Sequence, residues 1–158
     1  MASASQIPRP QVPDSIKAPA GEEIVLQAHA TGFQIYACQM GPDQKPSWTL
    51  KAPEAQLTDA TGKKVGTHSA GPTWKHTDGS EVMGKVVGRA DAPEAGSIPW
   101  LLLTATGHSG TGILSHVTTI QRIRTQGGQS PDGCDETHGG SETRVPYSAD
   151  YYFYAPAR

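Results

Sequence analysis

The sequence predicts an all-β fold, a single-domain antiparallel β-sandwich or small β-barrel with long loops. Three observations lead there. Gly (18) and Pro (13) are abundant among 158 residues, which favours frequent turns over long helices. No segment sustains a 3.6-residue apolar period and no internal repeat is present, so short, turn-bounded extended segments must carry the fold. Finally, Ile98-Pro99-Trp100-Leu101-Leu102-Leu103-Thr104 places apolar side chains at consecutive positions. A strand made from it is apolar on both faces and needs cover on both. It is expected to be the central strand.

The elements follow in order. Residues 1–21 carry four prolines and little hydrophobicity, which reads as an extended, poorly packed N-terminal arm; residues 22–158 form the single domain. Ile24 to Ala30 is a first strand with Ile24, Leu26 and Ala28 on one face. Thr31-Gly32 is read as a turn into a second strand, where Phe33, Ile35 and Ala37 alternate with Gln34, Tyr36 and Cys38. Gly41-Pro42-Asp43 breaks it, Trp48-Thr49-Leu50 resumes extended structure, and Ala52-Pro53-Glu54-Ala55 reads as a corner or a single helical turn. A meander follows through 64–69, 73–76 and 81–88, with turns at 60–63, 70–72 and 77–80. Asp78-Gly79 suits a type I′ hairpin. Residues 89–97 are a loop, 107–112 a glycine loop, and 113–124 one long strand with a bulge near Thr118-Thr119. Residues 126–142 lack periodicity, and loops that long are usually functional or disordered. Val145 to Tyr154 closes the fold with Tyr147, Ala149, Tyr151 and Phe153 on one face.

Composition excludes some functions. The net charge is -2 and no basic stripe is present, which argues against a nucleic-acid partner. No apolar run approaches the roughly 20 residues of a spanning helix. The two cysteines, Cys38 and Cys134, lie outside any CxxC or Cys/His cluster. They suggest one long-range disulfide and an oxidising compartment, two buried free thiols being the alternative. Met1-Ala2-Ser3-Ala4-Ser5 has neither the basic start nor the apolar stretch of a signal peptide.

The candidate chemistry is sparse. His68 and His76 flank Gly71-Pro72-Thr73-Trp74, as His108 and His116 flank a second glycine turn; imidazoles converging across a hairpin can hold copper or zinc. His68 is the best single metal-ligand candidate, with His76 as its companion. Asp78, Glu81, Asp91 and Glu94 offer carboxylates for a glycosidase-like pair, although Asp78 is better placed to bond the backbone of its own turn. Gly107-His108-Ser109-Gly110 lacks the spacing of a nucleophile elbow, and Gly107, Gly110 and Gly112 do not form a dinucleotide fingerprint. Arg122 and Arg124, placed on one strand face, need a carboxylate or carbonyls if buried, either as an internal salt bridge or as an anion clamp. Trp48, Trp74 and Trp100 with Tyr147, Tyr151, Tyr152 and Tyr154 could stack on sugars or other flat ligands.

The strings Trp48-Thr49-Leu50-Lys51-Ala52-Pro53-Glu54-Ala55, His68-Ser69-Ala70-Gly71-Pro72-Thr73-Trp74, Asp78-Gly79-Ser80, Ile98-Pro99-Trp100-Leu101-Leu102, Ile120-Gln121-Arg122, Thr125-Gln126-Gly127-Gly128 and Val145-Pro146-Tyr147-Ser148-Ala149-Asp150-Tyr151-Tyr152-Phe153-Tyr154 together resemble the domain of unknown function 3455 family, small bacterial and fungal proteins that usually carry an export signal. The resemblance covers nearly everything after about Ala18 and departs from the family only in lacking a leader. It implies a secreted or periplasmic protein and, through the matching positions of Cys38 and Cys134, the disulfide. Some members carry a malate dehydrogenase label, for which this sequence offers no dinucleotide fold. If the shared strings mark a site, His68, Trp74, Asp78, Arg122 and Thr125 are the ligand-binding candidates, because packing alone explains them least. The expectation is an exported binding or interaction module for a small molecule or cell-envelope glycan. The alternatives are a copper- or zinc-dependent enzyme, oxidative or hydrolytic, centred on His68, and a structural envelope protein that associates through exposed edge strands.

Overall fold

The computed structural model describes residues 7–135 and 139–157; the opening Met1-Ala2-Ser3-Ala4-Ser5 lies outside them. Eight strands follow one another: β1 (Glu22–Met40), β2 (Pro46–Thr58), β3 (Lys64–Ser69), β4 (Thr73–His76), β5 (Glu81–Ala90), β6 (Trp100–Ser109), β7 (Thr119–Gly127) and β8 (Glu142–Pro156). Each pairs antiparallel with its neighbours in sequence, and β8 returns to β1, so the single sheet closes into a ring. The all-β expectation holds, and closure decides for a barrel over a sandwich. The only helical turn among the described residues is a 3-10 turn at Asp14–Ile16.

The barrel wall is uneven. β3 pairs with β2 only from Ala55↔His68 to Thr58↔Lys64, and β4 pairs with β5 only from Thr73↔Met83 to Lys75↔Glu81. The β3–β4 hairpin is therefore short, while β2 and β5 run past it. Beyond the hairpin, residues 46–54 of β2 and 85–90 of β5 have no strand between them, which leaves a notch in the wall.

Several sequence-based expectations change. Thr31-Gly32 is no turn: β1 is one strand of 19 residues. Gly32 serves close approach instead, since a Cβ there would meet Glu54 O at 2.1 Å. With no turn, the inward parity of Ala28 and Ala30 carries through, so Gln34, Tyr36 and Cys38 are buried. Ala52-Pro53-Glu54-Ala55 lies within β2 rather than at a corner; the register slips at Lys51, opposite Ile35 and Tyr36, while Pro53 keeps its place in the ladder opposite Gln34. β6 continues through half of the expected glycine loop. Residues 113–117 are turn, not strand, and Leu114 and Val117 are buried there in the main core. The bulge expected at Thr118-Thr119 falls instead between Ile123 and Gln126, where Arg124 takes φ 49°. Arg122 and Arg124 consequently part: the first is buried, the second exposed. At Asp78-Gly79 only Gly79 has positive φ, so the hairpin is not type I′.

Two apolar clusters explain why Trp100 to Leu103 is apolar throughout. Leu101 and Leu103 join Trp74, Ile120, Tyr151 and Phe153 inside the ring. Trp100 and Leu102 face outward, against Ile16, Ala18, Ile123, Tyr152 and Tyr154. The N-terminal arm is thus an outer layer, contrary to the expectation of poor packing. It is fixed by polar bonds as well: Gln121 Nε2 donates to Ile16 O at 2.8 Å, and Ser15 Oγ donates to Arg89 O at 3.0 Å. Arg9 donates to the carbonyls of Ala18, Pro19 and Glu22, which folds the arm back on itself.

Ile16 is fully buried. Truncation to alanine removes methylene groups from a site closed by Trp100 and Tyr154, so Ile16→Ala is expected to lower unfolding stability by about 3 kcal/mol, measured by urea titration. A change below about 0.5 kcal/mol would mean that the arm adds nothing to the fold.

Candidate functional site

The notch between β2 and β5 opens into a cavity of about 250 Å³. The β3–β4 turn, with a cis peptide at Gly71-Pro72, forms one side. Leu50 and Val86, 49% and 40% exposed, stand at the mouth. Deeper in, His68, Trp74, Leu101, Leu103, Arg122, Tyr151 and Gln34 line it. These side chains arrive together because inward positions alternate along each strand, and His68 lies directly opposite Trp74 in the β3–β4 ladder.

The ring system is ordered. His68 stacks on Trp74 with centroids 4.6 Å apart and planes 14° from parallel, and Tyr151 tilts against both. His68 Nδ1 lies 3.0 Å from Thr73 O; a carbonyl only accepts, so Nδ1–H donates and Nε2 keeps its lone pair. Burial, which strips solvent from the imidazolium, and the nearby Arg122 charge together lower the His68 pKa to about 4, against a smaller opposing effect of the Thr73 bond. His68 is therefore neutral at physiological pH.

Arg122 is the unusual group. It is 9% exposed, and its Nε–H and Nη2–H both donate to Pro99 O, at 3.1 and 2.8 Å. The Tyr151 phenol, which shares a hydrogen bond with Tyr147 OH at 3.3 Å, lies near enough to feel its charge. Its positive charge acts on Tyr36, His68, Tyr147 and Tyr151. Burial raises the pKa of each of these tyrosines, which stay neutral. Among the described residues no carboxylate reaches ion-pair distance of this guanidinium. The internal salt bridge open to a buried arginine is not formed there; a backbone carbonyl takes its place.

Four buried side-chain atoms among the described residues lack partners; Glu22 Oε1 and Trp100 Nε1 lie away from the cavity, and the other two belong to it. Gln34 Oε1 and Trp74 Nε1 make no hydrogen bond among the described residues, and both residues line this cavity. Gln34 was not among the sequence candidates. Reading Thr31-Gly32 as a turn left open which face of β1 it occupies, whereas continuing the Ala28–Ala30 alternation points it inward.

The remaining candidates lie elsewhere. Asp78 sits in the β4–β5 turn, at the end of the barrel away from the Gly71-Pro72 turn. Its Oδ1 accepts from Ser80 N and Oγ, at 2.9 and 2.6 Å, and its Oδ2 accepts from Ile113 N at 2.7 Å. These bonds hold its pKa far below the usual carboxylate range and clamp the β6–β7 turn to the β4–β5 turn. A Cβ on Gly112 would meet the Asp78 carboxylate at 2.2 Å. Thr125 is buried and donates to Ile98 O at 2.6 Å, one residue before the carbonyl that holds Arg122; it anchors the site without lining it. His76 accepts the Asp78 N–H through Nδ1 at 3.0 Å and lies two cross-strand pairs beyond Trp74, opposite Gly66. Among the described residues no three His, Cys, Asp or Glu side chains gather as metal ligands. Glu81 faces Lys75, and Asp91 and Glu94 belong to the β5–β6 loop, at the other end from Asp78.

The aromatic residues divide likewise. Trp74 and Tyr151 face in, Trp100, Tyr152 and Tyr154 lie under the arm, and Trp48 Nε1 donates to Asp132 O at 3.4 Å. No single platform forms from them. A larger depression of about 990 Å³ crosses β1, β2, β3 and β8 around Gly32. It is open to solvent, and the unpartnered buried polar atoms are not on its lining residues.

Cys38 and Cys134 form a disulfide, which ties the β7–β8 loop to the end of β1. The family model described as "Protein of unknown function (DUF3455)" matches residues 19–155. The chain belongs to that family. No curated protein and no solved structure matches it. Membership agrees with the resemblance drawn from the ordered strings, most of which border the notch or the turns that brace it. No helix among the described residues is long and apolar enough to cross a membrane.

Two expectations follow. Asp78→Ala breaks the clamp between two turns without touching the cavity, and should lower the melting temperature by about 3–8 °C; an unchanged transition would show that the clamp is idle. The unfolded chain protonates His68 near pH 6.5, the folded chain only near 4. Between those values the unfolded state binds more protons, so stability falls on acidification through this window, by up to about 3 kcal/mol from this group. Denaturant titrations from pH 7.5 to 4 should show that slope reduced in His68→Gln; equal slopes would contradict a neutral buried imidazole.

Proposed function

We propose that this protein is an exported binding module that takes a small organic molecule in the cavity behind the notch. The observation that carries the reading is the set of buried polar groups left without full partners around one space: Gln34 Oε1, Trp74 Nε1 and the carboxylate-free Arg122. Buried polar atoms are nearly always paired, and leaving one unmade costs about 1–3 kcal/mol. An apolar cavity with a few convergent polar groups is the usual form of a small-ligand site. The space suits a compact molecule or one sugar ring rather than an extended glycan. The disulfide supports export, since such bonds persist in oxidising compartments.

The alternatives draw less support. A copper or zinc ion at His68 Nε2 would sit beside the Arg122 charge, with no second ligand from His76. Association through strand edges would use residues 46–54 of β2, and that stretch carries Pro46, Lys51 and Pro53, residues that blunt an edge.

Ligand-observed NMR with benzoate, benzamide and methyl glucoside, each at millimolar concentration, tests the reading. Val86→Trp closes the mouth at a half-exposed position and should leave the fold intact by circular dichroism. At least one probe is expected to bind the native protein and to lose binding in Val86→Trp. Silence from all three probes, or equal binding to both proteins, would overturn it.

A further inference from the structure

The charge balance of the cavity limits what enters it. Arg122 is a buried cation without a carboxylate partner among the described residues. Two of the five N–H groups of a guanidinium go to a single carbonyl oxygen, Pro99 O. Further donors remain with only a phenol nearby. Burying a charge is costly unless a counter-charge meets it, and a guanidinium fork matches a carboxylate in two parallel bonds.

The other charges near the cavity are already settled. Lys51 lines the mouth, but its ammonium pairs with Glu142 at 2.5 Å. His68 is neutral at physiological pH, and the neighbouring tyrosines are uncharged. One positive charge is therefore open, which favours a single negative charge over the two of a phosphate monoester. The walls add a second constraint. Beyond Arg122 the cavity is bounded by the Trp74 and His68 rings, Leu101 and Leu103, with Leu50 and Val86 at the mouth. These surfaces gain from contact with an apolar body and offer it few hydrogen bonds.

We infer that the ligand is a small monocarboxylate with an apolar, preferably flat body, its carboxylate on Arg122 and its body between the Trp74–His68 stack and the Leu50–Val86 mouth. Resting on the proposed function above, this inference names the ligand class. Gln34, whose Oε1 has no partner, is placed to accept from a hydroxyl or amide carried by such an acid.

Isothermal titration of the native protein with isosteric probes tests it without depending on a variant. Benzoate is expected to bind about tenfold or more tightly than benzamide, the margin of a charge-assisted hydrogen bond, and more tightly than phenyl phosphate. In Arg122→Lys, which keeps the charge and loses the fork, benzoate should weaken while benzamide changes little; the fold is checked by circular dichroism. Benzamide equal to or tighter than benzoate would overturn the carboxylate assignment and leave a neutral-ligand pocket standing. Phenyl phosphate binding more tightly would reassign the class to dianions. No binding of any of the three, with the same silence in the NMR panel, would remove the pocket reading itself.

Discussion

Everything in this molecule depends on the pairing of its first strand with its last. The β1–β8 ladder runs from Glu22↔Pro156 to Ala37↔Glu142, much longer than the few pairs that hold β3 to β4. Closing the sheet this way gives both strands partners on either side and fixes one inward parity around the ring. It also bends β1 so tightly against β2 that only glycine fits at position 32. Because long strands close the ring and short ones complete it, the wall has unequal height. The notch is the geometric remainder of that mismatch.

The site then rests on a relay of backbone anchors. Thr125 holds Ile98 O, Ile98 N–H donates to Gly127 O at 3.0 Å, and Ser97 bridges to Gly128. Pro99 O is thereby held where both Nε and Nη2 of Arg122 reach it. Tyr36 donates to Gly128 O, and the Cys38–Cys134 bond secures the loop that follows. A guanidinium fixed by carbonyls keeps its full charge, which a salt bridge would have cancelled.

Much of the fold was legible in the residues. The alternation of Tyr147, Ala149, Tyr151 and Phe153 gave the inner face of β8 correctly, because a half-buried strand must show its period. Trp100 to Leu103 is covered on both sides, as its unbroken apolar run requires, although the outer cover is the proline-rich arm. Four prolines hid that role: they describe the arm's backbone, whereas Ile16 and Ala18 do the packing. The errors have physical causes. A glycine at a crossing and a glycine in a turn look alike in sequence, so Gly32 reads as a turn and the inward side of the residues after it stays open. Of the site candidates, His68, Trp74 and Arg122 meet at one cavity, while Asp78 and Thr125 proved to be braces. Gln34 escaped notice because hydrophobic patterning is blind to a polar side chain turned inward, and such exceptions collect at functional positions.

The entry to β1 and the exit from β8 are placed by the same closure. β1 begins and β8 ends at one rim of the barrel, where Ala157 N–H donates to Gly21 O at 2.9 Å, and the arm doubles back to the same rim through Arg9 and Glu22 O. The Gly71-Pro72 turn and the notch belong to the opposite rim. Gly21 and Ala157, where the chain enters and leaves the barrel, therefore lie at the rim away from the opening, and neither crosses the route into the cavity.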